Sequence, residues 1–409
     1  MEREKIEISQ KHIPLRIAAF VLAFVVAVGS ITAGVLKIGK KGPGYRTVET
    51  DPDEAAPLYA AGVTLTYAFS GSSGEIKTAY NALRTDYGTA LCGAYKLLDA
   101  ESEYVGLANA ATLDRNRGET FFLDPRLYAA LEDALEKTER RQGYNLFAGA
   151  LFTAWGEILT LAEPQEFDPL HDSFQAERLE RLARATEDLS NFTLALDPAA
   201  LTACFSVSPE YEALLRELEI SGPVLDFNLL REAYELTMTA AVLEEKGWTA
   251  GYLTTEGGLT LALSGQTSGE FVLYGNAGEP AAALQIPVTG GAAASALRAF
   301  PLTAGELGYY APDPGNGETL RHAATPAAGE GETPVISVIA VSRTGDAAEA
   351  AFACVSLMTC HESGRVGEAA SALKMPAAYI LAADPGTVVR SPAALAEDGW
   401  TVASPYVLK

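Results

Sequence analysis

The chain has 409 residues, enough for one large domain or two smaller ones, and its 48% apolar and 20% charged residues are a globular composition, not a disordered one. The formal charge is −23; residues 1–46 hold eight Lys/Arg against three Glu, so the remaining residues carry −28. So acidic a surface repels phosphate backbones and anionic lipid, which sets nucleic-acid binding aside.

The first predicted element is a membrane segment. Residues 17–36 (IAAFVLAFVVAVGSITAGVL) carry no charge and are long enough, at helical rise, to cross about 30 Å of hydrocarbon. The run exceeds a typical signal-peptide core, and no cysteine follows closely to accept a lipid. The expected organisation is a cytoplasmic tail over 1–16, one uncleaved transmembrane anchor over 17–36, a linker over 37–56 and a domain over 57–409. Arg3, Lys5, Lys11 and Arg16 precede the span and Lys37, Lys40, Lys41 and Arg46 follow it, so flanking charge sets no orientation.

From Tyr59 the pattern is globular. GVTLTYAFSG alternates like a strand, and helices are predicted from Thr78 to Leu98 and from about Pro125 to Arg140. An apolar run (NLFAGALFTAW) and two amphipathic helices (AERLERLARATEDL from Ala176, then PEYEALLRELE) follow. Leu230, Ala233, Tyr234, Met238, Ala241 and Val242 draw one apolar stripe down a further helix. Lys246 and Gly247 stop it, since a cation suits the negative helix end and glycine tolerates a left-handed cap. After the Gly257–Gly258 turn, LTLALSG, EFVLYGN and AALQIPV read as an antiparallel meander. PVISVIAVS is a buried strand, DAAEAAFACVSLMT a helix, and AAYILAA with TVVRS a closing hairpin. Helices and antiparallel strands mixed in this way give an α+β domain.

Cys92, Cys204, Cys354 and Cys360 form no C-x-x-C, and Cys354 and Met358 share an apolar helix face, which reads as core packing. The sequence has no G-x-S-x-G, Walker loop, H-E-x-x-H or G-x-G-x-x-G. SALK at Ser371–Lys374 matches S-x-x-K, a pattern that arises readily by chance.

Several segments, taken in series, resemble the ApbE-type FAD:protein FMN transferases over about residues 58–392. YVGLANAATLDRNRG contributes Gly106, and QGYNLFAGALFTAW contributes Gly143, Asn145, Gly149 and Trp155. LDFNLLREAY is similar to the family's Asp-x-Gly-Gly-x-x-Lys-Gly-Tyr helix start, YYAPDPGNGET to its His-x-x-Asp-Pro-x-Thr-Gly loop, and SVIAVSRTGDAAEAAF to its metal-holding strand and Ala-Asp-Ala-x-x-Thr-Ala helix. The resemblance implies an ApbE-like fold of mixed helices and antiparallel sheets, behind the N-terminal transmembrane helix. It also implies use of FAD and Mg²⁺: the metal polarises the FAD pyrophosphate, a protein threonine hydroxyl attacks it, FMN is attached through the new ester bond, and AMP leaves. By matching position, Asp226, Tyr234, Gly257, Gly258 and Asp313 would bind the cofactor and Asp346 the metal, and no catalytic residue is assigned. The implied acceptor is a membrane flavoprotein, and the implied location is the cell membrane, single-pass, with the domain extracytoplasmic.

The departures fall where the chemistry is. Asn228–Leu229 replace the Gly-Gly that lets phosphate approach the backbone, and Glu232–Ala233 replace Lys-Gly. At about 4 Å and an effective dielectric near 20, swapping that cation for an anion turns about 4 kcal/mol of attraction into a similar repulsion. Tyr310 stands for the loop histidine, Asn316 for its threonine, Leu259 for a polar residue after the Gly-Gly turn, and Ala350 for the metal-site threonine. Asp346 with Glu349 also reads as a helix capping box, Asp313–Gly317 as an ordinary turn, and Trp155 as core. Two functions are therefore expected: a divergent transferase with weak or no catalysis, leaning towards a pseudoenzyme, or a non-catalytic flavin- or protein-binding scaffold at the membrane.

Overall fold

Strand β1 (Gly44–Val48) lies inside the stretch expected to be a linker, yet it pairs antiparallel with β2 (Val63–Phe69), Gly44 opposite Phe69 and Val48 opposite Leu65. Val48 is 2% exposed, so the alternation GYRTV buries its last side chain in the core. The folded sheet thus begins at Gly44, before the expected boundary at residue 57. The computed structural model describes residues 43–49, 62–159, 161, 164–167, 169, 172–255, 258–265, 268–275, 280–287, 293–298, 309–310, 321–322, 335–360, 363–381, 383–395 and 399–409. Among these, no helix is long and apolar enough to cross a membrane. The expected anchor at 17–36 lies outside them, as do Gly257 and Asp313.

Helix α1 (Ser73–Leu98) starts before its apolar stripe does, because Ser72 and Glu75 close a capping box: the Glu75 N–H donates to Ser72 Oγ and the Ser72 N–H to Glu75 Oε2. Next come α2 (Ala110–Arg115), β3 (Thr120–Phe122), α3 (Pro125–Glu139), α4 (Gly149–Leu159) and α5 (Ser173–Glu187). Strands β4 (Phe192–Asp197) and β5 (Thr202–Val207) precede α6 (Pro209–Glu217), and a 3₁₀ turn at Asn228–Leu230 leads into α7 (Arg231–Glu245). Strands β6 (Gly251–Thr255), β7 (Leu259–Ala262), β8 (Ser268–Tyr274), β9 (Pro280–Pro287), β10 (Ala293–Arg298) and β11 (Val335–Ser342) follow. The chain closes with α8 (Ala347–Met358), α9 (Ser363–Ala372), β12 (Ala377–Leu381), β13 (Asp384–Arg390), β14 (Trp400–Val402) and β15 (Val407–Leu408).

A nine-stranded sheet runs β1-β2-β6-β7-β10-β11-β12-β13-β15. Every neighbouring pair is antiparallel except the last, where Thr387 faces Val407 in parallel. Helices α1, α7 and α8 pack on one face, and a small sheet ordered β14-β9-β8 covers the other. All eight residues of β11 are buried. Ile336, Ile339 and Val341 meet Phe271, Leu273 and Leu284 on one side, while Val335, Val338 and Ala340 join the helix-side core. Burial on both faces is why this strand reads as an unbroken apolar run. A third sheet, β3-β5-β4, carries Phe192 and Phe205 against Phe147 at ring distances of 4.7 and 5.7 Å. The domain is α+β with largely antiparallel sheets, as expected.

Removing residues 1–56 should therefore destabilise the domain by about 2 kcal/mol relative to removing 1–42, since only the first deletion strips Val48 and the β1 ladder from β2. Urea melts of the two truncated proteins measure the difference; equal midpoints would show that β1 adds nothing.

Candidate functional site

Segment 223–231 is fastened before it enters α7. The N–H groups of Val224 and Leu225 both donate to Asp114 Oδ1 at 3.0 Å, and the Asp226 N–H donates to Leu146 O at 2.9 Å. Gly149, the first residue of α4, lies so close that a Cβ there would sit 2.6 Å from Pro223 O and 2.9 Å from Asp226 Cβ. Only glycine fits this approach.

The turn then consumes its own donors. Asp226 Oδ1 accepts the Asn228 N–H at 2.9 Å, and Asn228 Oδ1 accepts the Leu229 N–H at 2.7 Å. The Leu230 N–H goes to Phe227 O at 3.0 Å, and the Arg231 N–H to Asn228 O. Asn228 holds φ at +37°, a left-handed value that asparagine tolerates better than most residues. Its side-chain amide donates to Asn145 O at 3.0 Å and to Asp226 O at 2.8 Å, sealing the turn. The N–H groups that open a helix can cradle an anion only if they are free. Here the four from Asn228 to Arg231, which lead into α7, are spent on the chain itself. Burial pushes the Asp226 carboxyl above its ordinary range, opposed by the Asn228 N–H and the nearby Arg231 guanidinium.

One turn further on, buried Tyr234 donates its hydroxyl to Asp133 Oδ2 at 2.7 Å. Burial raises its phenol far above the ordinary value, and Tyr144, Asp133 and Asp346 add to the shift. Asp133 Oδ1 also receives the Lys137 ammonium, which reaches Glu349 Oε2 at 3.2 Å although its side chain is only 1% exposed. Arg140 completes the ladder, with Nη1 to Glu349 Oε1 at 2.8 Å and Nη2 to Glu136 Oε1 at 2.8 Å. The ladder ties α3 to α7 and α8. Sequence reading missed it; the local traces were the i, i+4 pairs Asp133–Lys137 and Glu136–Arg140.

Asp346 caps α8, accepting the Glu349 N–H at 2.8 Å through Oδ1, while its own N–H donates to Ser342 Oγ at 3.2 Å. Ala350, behind it, is buried and offers no oxygen. Helix α8 packs on α7 and on the Asn228–Leu230 turn. The charge of Asp226 raises the Tyr144 phenol, and Tyr144 and Asp346 raise that of Tyr234. Gly258 sits at φ +90° in the β6–β7 turn, its N–H on Thr255 O at 3.2 Å, and β7 packs against both α7 and α8. Gly257 and Asp313 cannot be placed, since both lie outside the described residues. Among the weaker matches, Trp155 is core at 2% exposed and Gly106 makes a surface turn at φ +77°. Ser371 Oγ merely bonds Gly367 O at 2.6 Å at the end of α9, a helix-end contact and not a nucleophile site.

The described residues do not fit a hard divalent cation at α8. Near Asp346 they supply Glu349, already bridged to Lys137 and Arg140, and no described group of three His, Cys, Asp or Glu could hold a metal.

No protein-family model matches the sequence, and no curated protein sequence matches it. Solved structures do. The flavin transferase ApbE from Vibrio cholerae is similar at a TM-score of 0.51 and 12% identity, over 86% of this chain and 98% of that one. The ApbE protein from Thermotoga maritima gives 0.53 and 13% over 84% and 97%, and Pseudomonas stutzeri flavinyl transferase ApbE gives 0.52 and 13% over 87% and 96%. The chain has an ApbE-like fold.

Two measurements check this geometry. Because the Asp226 carboxyl is raised, its contribution to stability is present when it is protonated and is lost as pH climbs through its folded value. Asp226→Asn, which keeps an acceptor for the Asn228 N–H, should melt higher than wild type above pH 7, with the gap closing towards pH 4. A variant that melts lower at every pH would contradict a carboxyl that the fold favours in its protonated form. Lys137→Ala strands Asp133 and Glu349 without their shared cation and should cost about 3 kcal/mol in a urea melt; a loss below about 1 kcal/mol would reduce the ladder to surface pairing.

Proposed function

We propose that this protein is a divergent relative of the FAD:protein FMN transferases that has lost most or all transferase activity. It is tethered to the cell membrane by residues 17–36, with its domain outside the cytoplasm. In this reading it acts as a non-catalytic accessory or scaffold that binds a flavin group or a protein partner at the membrane. One observation carries the proposal: the four N–H groups from Asn228 to Arg231, which an anion would need, are taken by Asp226, Phe227 and Asn228. Phosphoryl chemistry needs free donors or a metal aimed at developing charge, and none of these four N–H groups is free to supply it.

A second reading, a working Mg²⁺-dependent transferase acting on a neighbouring membrane flavoprotein, draws its support from the clustering of Asp226, Tyr234 and Asp346 around the start of α7. Losing one phosphate-directed donor commonly costs about 3 kcal/mol of transition-state stabilisation. Leu229, Glu232 and Ala350 represent three such losses in one site, and coupled losses need not add.

Incubated with FAD, Mg²⁺ and a threonine-bearing acceptor, the protein should leave no covalently fluorescent band on a denaturing gel. A band that disappears with chelator or with Asp346→Ala would restore the transferase. The tether is checked by fractionation: the full chain should partition with membranes, and protease added outside the membrane should digest the domain. Recovery of the full chain without detergent would remove the anchor, and full protection from protease would reverse the topology.

A further inference from the structure

A cavity of about 1040 Å³ opens on another side of the ion ladder. It lies between the turn at 140–145, the end of α5, the outer face of α8 and α9, and Asp226, Tyr234, Gly258 and Asp346 are not among its lining residues. Its size suits a drug- or nucleotide-sized molecule.

The lining has two characters. Ala148, Leu151, Ala183 and Phe352 form an apolar floor, each 5% exposed or less. Arg141, Arg365 and Lys374 stand at the rim, and none of them forms an ion pair with a described residue. Arg140, also at the rim, is committed to Glu136 and Glu349. Glu136, Glu187, Glu349 and Glu368 line the cavity as well, so four anions meet four cations there. In a chain of net charge −23, a lining with no net negative charge runs against the background.

One further feature shapes the rim. Arg141 is held at φ +53°, a region that non-glycine residues rarely adopt. The turn that carries it is fixed: a Cβ at Gly143, itself at φ +84°, would fall 1.8 Å from Thr359 Oγ1 of the segment following α8. The strained backbone therefore keeps Arg141 at the cavity.

We propose that this cavity binds an amphipathic aromatic anion, its apolar body on Phe352 and Leu151 and its anionic group among Arg141, Arg365 and Lys374. This does not depend on the reading of the α7 turn, and the test uses no FAD. Cys360 lines the cavity and reports its occupancy, and Cys204 on β5, which lines no described cavity, serves as an internal control. The full chain in detergent is treated with N-ethylmaleimide at mildly alkaline pH, because burial raises the Cys360 thiol, and labelling is followed by peptide mass spectrometry. Saturating 8-anilinonaphthalene-1-sulfonate should slow Cys360 labelling by about tenfold and leave Cys204 unchanged. Its uncharged counterpart, N-phenyl-1-naphthylamine, should protect far less. The exposed pair Arg365→Glu with Lys374→Glu should abolish the sulfonate's protection at an unchanged melting temperature. Absence of protection, equal protection by the uncharged probe, or protection that survives the double charge reversal would each overturn the proposal.

Discussion

The turn into α7 is governed by one constraint: the N–H groups from Asn228 to Arg231 each have an acceptor within the chain. Gly149 lets segment 223–226 lie against α4, Asp114 takes two of its N–H groups, and Asp226 and Asn228 take the next two. A buried donor must find an acceptor. In a ligand-binding turn of this kind the ligand can be that acceptor; here the side chains are. The side chains that fill the turn thus complete part of its hydrogen bonding. The same segment is fastened to α2 through Asp114 and to the residues before α4 through Asn145.

The second constraint is electrostatic. Lys137 and Arg140 draw carboxylates together, linking Asp133, Glu136 and Glu349 across α3 and α8 and reaching α7 through Tyr234. Lys137 is the buried member, and removing it leaves Asp133 without its cation. That gives Glu349 a structural role, while Asp346 beside it caps the helix.

The fold was largely legible because its long elements repeat their signals. The stripes of α1, α3 and α7 and the unbroken apolar run of β11 each continue long enough to be read. The β4–β5 hairpin was not. Its turn has no glycine: Asp197 Oδ1 accepts the N–H groups of Ala199 and Ala200, and Leu201 takes the left-handed position at φ +52°. Strand β1 was missed because it is short and follows Gly- and Lys-rich residues that resemble a tether. At the site, sequence reading identified the capping role of Asp346 and the altered residues at 228 and 229. It did not foresee Asn228 bonding Asn145, or Lys137 meeting Glu349, because partners so distant in the chain leave no mark in local spacing.

The most direct measurement is hydrogen–deuterium exchange of segment 226–232 in the full chain, with and without saturating FAD and Mg²⁺. If Asp226, Phe227 and Asn228 already hold these N–H groups, the segment should exchange slowly in the free protein and at the same rate when FAD is present. Fast exchange in the free protein, slowed when FAD and Mg²⁺ are added, would contradict the account: the turn would then be an open anion site.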